Sequence, residues 1–331
     1  MARYLIVKLS SIGDIAHALP VARALKMRLP DAEIDWVAQP EYRPLLERCP
    51  DVSRIIPFPR RHFLRGVFPF WRELRAERYD GVIDLQGLLK SALPASWARR
   101  TSSRKPIYGP AWAREGAGRF YTLTPVRAPG PRRHAVEELL DVAAIVAPPS
   151  PGEPFPRPRI DVVACEAADS PAPRIGLAPF SRWATKNWPA ESFVALGRRL
   201  VGEMGAQLFI LGGAGDAKDA CAMQAGIPGA KVLCGTLDFP GLLSMLKSLD
   251  LFVSVESGPL HWADAMGVPV VAVYGSTDPV RTGPFYQQDH VVALPGLDCR
   301  PCHSRTCAKG SLDCLAKLGA DRVFDACMAQ L

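Results

Sequence analysis

The sequence predicts an α/β protein made of two parallel-sheet domains that face each other. Three observations carry this. Short apolar, β-branched runs alternate with segments of helical periodicity along both halves of the chain, the pattern of successive βαβ units. A proline-dense stretch, residues 151–173, separates the halves, and no helix can run through it. The chain has 331 residues, too many for one ordinary core. A first domain is therefore expected over residues 1–150 and a second over residues 174–331.

Composition narrows the class. Apolar content of 48% and charged content of 22% are those of a soluble protein. No apolar run reaches membrane-spanning length. The N-terminal apolar run is short and Lys8 interrupts it, so it does not read as a signal peptide. A cytoplasmic location is expected, with the nine cysteines mostly reduced. Charge is uneven: residues 1–160 hold 26 Lys+Arg against 16 Asp+Glu, and residues 161–331 hold 14 against 17. A basic first half suits an anionic partner, whether nucleic acid, a membrane surface or an acidic substrate; it equally suits a solvated, arginine-rich surface.

In the first half, residues 3–9 read as a strand. Ser10-Ser11-Ile12-Gly13-Asp14 follows, then a helix over residues 15–29 with Ala18, Leu19, Ala22, Leu25 and Leu29 at helical spacing. Asp14 thus stands at a strand-to-helix turn on the carboxyl edge of a sheet. A carboxylate there can take a proton from a hydroxyl nucleophile, or can simply favour the helix N-terminus. The glycines do not follow GxGxxG, so a dinucleotide fold is poorly supported. Further strands are expected over residues 34–38, 54–58, 79–84 and 107–109, and helices over 42–49, 70–77 and 88–99. The basic, aromatic stretch 60–65 suits an anionic acceptor, a bilayer surface or an ordinary loop. Asp84 and Gln86 sit where a strand ends. His134 follows two arginines at the start of a helix running to residue 146.

In the second half, residues 174–180 read as a strand, followed by the loop Ser181-Arg182-Trp183-Ala184-Thr185-Lys186-Asn187-Trp188-Pro189 and a helix over 190–201. Residues 207–211, 231–233 and 251–255 are further strands. The most informative stretch is 251–284. Its first strand stops at Glu256-Ser257-Gly258, and a helix over 259–266 follows. Ser257 suits the N-cap, Pro259 the first turn and Gly267 the stop. A strand over 268–274 then ends in Gly275-Ser276-Thr277-Asp278-Pro279. Both loops lie at the carboxyl edge, where α/β proteins bind ligands. The helix N-terminus offers N–H groups to an anion, Glu256 can accept from sugar hydroxyls, and His261 lies one turn in. Together they suit a phosphate-bearing, hydroxyl-rich ligand.

Five stretches in order, SSIGDIAHALP, YDGVIDLQGLLKSA, TKNWP, SVESGPLHWADAMGVPVVAVYGSTDP and RTGP, make the chain resemble the bacterial lipopolysaccharide heptosyltransferases of glycosyltransferase family 9. IDLQGLLKSA and RHAVE look more like heptosyltransferase I; the cysteine-rich tail looks more like heptosyltransferase II. The resemblance implies the GT-B architecture, two Rossmann-like domains about a central cleft, with the final helix packing back on the first domain. It implies an inverting, metal-independent transfer of heptose from ADP-heptose to a Kdo residue of lipid A, with no cofactor and peripheral contact with the cytoplasmic face of the inner membrane. By the same resemblance Asp14 is the base and Lys186 the cation for the leaving ADP. Ser181, Thr185, Lys186, Glu256, Ser257, Gly258 and His261 belong to the donor site, and Ser10, Gly13, Arg60, Arg61, Gln86 and His134 to the acceptor site. The chain departs from the family where Glu256-Ser257-Gly258 replaces Asp-Thr-Gly, which keeps a carboxylate and a hydroxyl.

Cys299, Cys302, Cys307 and Cys314 have thiolate spacing that can take zinc or an iron–sulfur cluster, but it is not that of two CxxC pairs. No metal is expected, and the tail is expected to be structural. Alternatives are heptosyltransferase II-type addition to an already heptosylated core, another sugar-nucleotide enzyme such as an epimerase, or a nucleic-acid binder. No nucleic-acid-binding motif supports the last, and no nucleic-acid partner is expected.

Overall fold

A computed structural model describes residues 1–60, 63–99, 105–126, 132–165 and 171–331. The chain divides into two units, Met1–Asp161 and Val162–Leu331, and the division falls within residues 151–173.

The first unit contains β1 (Arg3–Val7), α1 (Ile12–Arg28), β2 (Glu33–Ala38), α2 (Arg43–Leu46), β3 (Arg54–Pro57), α3 (Phe63–Leu74), β4 (Gly81–Asp84), α4 (Leu89–Arg99), β5 (Ile107–Tyr108) and α5 (Ala135–Val146). Its five strands are parallel in the order β3-β2-β1-β4-β5. The register sets Ile6 opposite Trp36 on one side and Ile83 on the other, so the central strand is buried on both faces. This is why it reads as one apolar run rather than an alternation. Asp35, fully buried on β2, accepts from Tyr79 Oη at 2.8 Å and pairs with Arg3 at 3.3 Å and Arg54 at 3.2 Å, tying three neighbouring strands together.

Helix α1 starts three residues before the expected position, because Ser11 supplies the extended N-cap backbone. Helix α3 starts seven residues early and carries Pro69 inside it. The proline removes one helical bond, but burial of Phe70 and Leu74 compensates.

The second unit contains β6 (Arg174–Ala178), α6 (Ala190–Met204), β7 (Gln207–Ile210), α7 (Ala217–Gln224), β8 (Lys231–Val232), α8 (Phe239–Lys247), β9 (Leu251–Val255), α9 (Gly258–Met266), β10 (Val270–Tyr274), α10 (Pro279–Thr282), β11 (Val291–Ala293), α11 (Asp313–Ala316) and α12 (Ala320–Met328). All six strands are parallel, in the order β11-β10-β9-β6-β7-β8. Strands β9 and β10 are buried at every residue. Gly267 ends α9 at φ 76°, the left-handed conformation in which glycine carries no Cβ penalty. The final helix buries Val323, Phe324 and Cys327 against α6, β10 and β11 of its own unit.

Each sheet reverses its strand order once, between β1 and β4 in the first and between β6 and β9 in the second. Loops diverge at such points and leave a crevice at the carboxyl edge. Among the described residues, no helix is long and apolar enough to cross a membrane.

Candidate active site

In the first unit the loops flanking the reversal are the β1–α1 turn, with Ser10, Gly13 and Asp14, and the β4–α4 turn, with Asp84 and Gln86. The two are bonded together. Gln86 Oε1 accepts from the N–H groups of Leu9 at 3.2 Å and Ser10 at 3.3 Å. Gln86 is held in turn by Asp84, which is fully buried and accepts from the Gln86 and Gly87 N–H groups and the Ser91 and Tyr121 hydroxyls. Burial pushes the Asp84 carboxyl up, against those four donors. Gln86, expected to touch an acceptor, therefore spends its carbonyl on positioning the Asp14 loop.

Asp14 is the third residue of α1 and accepts from Ser11 N at 2.7 Å and Ser11 Oγ at 2.6 Å, so it serves the helix start as well. It is exposed by area, yet loss of surrounding water pushes its pKa up. The Lys8 ammonium, the two Ser11 hydrogen bonds and His17 outweigh this and hold the carboxyl below its ordinary value. Asp14 is thus favoured as the ionised carboxylate, at the carboxyl edge of the sheet. Lys8 was not singled out from the sequence. It is buried, it donates to Leu85 O at 3.0 Å, and burial pushes its own pKa down against the pull of Asp14 and Asp84. A lysine closing an apolar strand was the available signal.

A pH dependence follows. A base must be ionised to act, so a depressed pKa keeps Asp14 competent down to acid pH. Lys8→Met removes a charge that favours the ionised form. The acid limb of the kcat/KM profile is then expected to move to higher pH, and an unmoved limb would separate Lys8 from Asp14.

Of the other expected acceptor residues, Arg60 and His134 lie outside these two turns. Arg60 is exposed just beyond β3 and donates to Gln39 Oε1 at 3.2 Å, also on the carboxyl edge. Arg61 lies outside the described residues. His134 is not presented to solvent: it is 2% exposed and its Nδ1 accepts from Val136 N at 3.1 Å as the N-cap of α5. It caps the start of α5.

In the second unit the reversal is flanked by loop 181–189 and by Glu256–His261. Trp188, 2% exposed, anchors the first: its Nε1 donates to Leu318 O at 2.9 Å and its ring meets Phe193 edge-on. Asn187 Oδ1 accepts from Ser181 N at 2.7 Å and closes the loop. Lys186 ends a single 3₁₀ turn, Ala184–Lys186, and reaches Glu256 Oε1 at 3.0 Å. Glu256 also accepts from the hydroxyls of Thr277 and Thr282. The carboxylate expected to greet a sugar hydroxyl therefore holds the lysine, with both threonines supporting it. Thr185, expected at the donor, is buried; it donates to Ser304 O at 2.6 Å and accepts from Ser276 Oγ at 3.1 Å. It fastens the loop to the tail. Gly275 permits this approach, since a Cβ there would lie 2.7 Å from Thr185 O.

Ser257 is the N-cap of α9 without a side-chain cap bond; its hydroxyl meets Ser254 Oγ at 2.9 Å. The first N–H groups of α9 are free of helical partners and start at the same strand end as Glu256. His261 is buried one turn into α9. The arrangement offers an ammonium, helix N–H groups and a hydroxyl to an anion.

The nine cysteines are free thiols. Among the described residues, no group of three or more His, Cys, Asp or Glu side chains is arranged to hold a metal ion.

Comparison with known proteins identifies the family. The family model for glycosyltransferase family 9 (heptosyltransferase) matches residues 67–312. Lipopolysaccharide heptosyltransferase 1 of Pseudomonas aeruginosa is 31% identical over 317 residues, covering 92% of this chain and 87% of that protein. The solved structure of E. coli heptosyltransferase WaaC with ADP superposes with a TM-score of 0.77 at 26% identity, covering 99% of this chain and 100% of that one. That of E. coli ADP-heptose lps heptosyltransferase II superposes at 0.79 over 99% and 98%, at 23% identity, and supports the fold alone. With a family model matched over most of its length and a relative 31% identical across 92% of it, this α/β chain of two parallel sheets belongs to glycosyltransferase family 9, the heptosyltransferases.

Proposed function

We propose that this chain is an inverting heptosyltransferase of lipopolysaccharide inner-core synthesis, moving heptose from ADP-heptose to a Kdo residue of lipid A. Family membership supports the donor and the reaction class. The observation that carries the chemistry is the place of Asp14, in the turn after β1 beside the strand-order reversal, its carboxylate held by Ser11. In the proposed step Asp14 takes the proton of the acceptor hydroxyl as its oxygen bonds to heptose C1. The C1–O bond to the β-phosphate breaks, and ADP departs with the electron pair. Lys186 and the α9 N-terminus hold the diphosphate as charge develops on it.

The test is transfer from ADP-heptose to Kdo-bearing lipid A with EDTA present, read by mass spectrometry. A gain of one heptose is expected. No gain, with ADP-heptose still bound, would move the acceptor to an already heptosylated core; no binding of ADP-heptose would defeat the donor assignment.

A lipid acceptor calls for peripheral membrane contact, and α3 suits it. Phe70 and Leu74 face the core, while Phe68, 69% exposed, and Trp71, 38% exposed, stack on the outer side. The Arg75 guanidinium lies 4.1 Å over the Trp71 ring. Exposed aromatics beside arginines fit an anionic headgroup layer. In co-sedimentation with phosphatidylglycerol vesicles, the double variant F68A/W71A is expected to bind about tenfold less than the unaltered chain; equal binding would remove α3 from this role.

A further inference from the structure

The cysteine-bearing tail, expected to be structural only, is laced to the donor loop. Arg300 Nε donates to Gly275 O at 2.6 Å, His303 N donates to Ser276 O at 2.9 Å, and Thr185 donates to Ser304 O. These bonds bring the next residue, Arg305, over the Trp183 ring at 4.9 Å from its centroid. Lys186 Nζ lies against the same ring at 4.5 Å. One indole thus orients two cations from segments more than a hundred residues apart in sequence.

The charge balance gives this a consequence. Lys186 is matched by Glu256 at 3.0 Å, so the pair presents no net charge. A nucleoside diphosphate carries more than one negative charge, and more develops as it leaves. Among the described residues, Arg305 has no carboxylate partner, and it is exposed. We propose that Arg305 is a second cation for the diphosphate of the nucleotide sugar, carried by the tail and oriented by Trp183. The planar guanidinium suits two phosphate oxygens at once, whereas Lys186 supplies a point charge. This rests on the donor assignment above and extends that site to a segment the sequence had set apart.

Calorimetric titration of the full-length chain with ADP and with adenosine tests it. Arg305→Gln is expected to raise the Kd for ADP about tenfold, the effect of losing one charge-assisted hydrogen bond, and to flatten its salt dependence. Adenosine, which lacks the phosphates, should bind as before, and Arg305→Lys, which keeps the charge but not the planar fork, should bind ADP with an affinity between those of Arg305→Gln and the unaltered chain. An unchanged Kd for ADP in Arg305→Gln would overturn the assignment, leaving an arginine that only packs on Trp183. So would an equal loss for adenosine, which would report a disturbed loop. If the unaltered chain binds no ADP, the donor assignment itself fails, a result distinct from both.

Discussion

Replacing Asp14 by asparagine is expected to lower kcat by about 10²–10⁴-fold while leaving ADP affinity unchanged, because the base acts on the acceptor and not on the nucleotide. The substitution separates the two roles that the carboxylate occupies. As the third residue of α1 it accepts from Ser11 N and Ser11 Oγ, and an asparagine oxygen can still accept the backbone bond. Loss of the charge near the helix N-terminus should cost only about 0.3–1 kcal/mol of stability. A residue that served the helix alone would show that small loss in a denaturant titration and no change in rate. A general base shows the rate loss at nearly unchanged stability. Single-turnover transfer alongside urea unfolding distinguishes them, and a kcat within threefold of the unaltered chain would remove Asp14 from catalysis.

The way Asp14 is held also shows what could be read from the sequence. The strands were legible because parallel strands buried on both faces leave continuous apolar runs: residues 251–255 match β9, and 3–9 overrun β1 by two residues. Strand β11, at a sheet edge, has no counterpart in the sequence reading, although the shorter edge strands β5 and β8 do, so length alone does not account for it. Turn chemistry was legible where one residue decides it, as at Ser257 and Gly267. Partner choice was not. Glu256 looked free to bind a sugar because its neighbours in sequence offer it nothing; its partners Lys186, Thr277 and Thr282 arrive from two other loops. The bonds of Thr185 to Ser304 O and of Gln86 to the Leu9 and Ser10 N–H groups are equally non-local. Lys8 and Arg305 were missed because their meaning lies in charges brought near by the fold, which no local pattern encodes.

The same non-local pairing makes Lys186→Ala the more severe change at the donor loop. Taking away an electrostatic stabiliser of the leaving group costs about 10²–10³-fold in kcat. Here it also leaves Glu256, 8% exposed, with two threonine hydroxyls and no counter-charge. An unmatched carboxylate beside the diphosphate repels it, so donor affinity should fall together with kcat. The pair therefore predicts a particular non-additivity. Glu256→Gln alone removes the anchor of Lys186 and should weaken catalysis through misplacement of the ammonium. Added to Lys186→Ala, it removes the repulsion, so the double variant should bind ADP more tightly than Lys186→Ala does. The cycle is read from ADP affinities of the four proteins by calorimetry. A double variant that binds as the sum of the two single losses would mean that Glu256 and Lys186 act independently. Unchanged kinetics in Lys186→Ala would dismiss the lysine as the leaving-group cation, and the burden would pass to Arg305 and the α9 N-terminus.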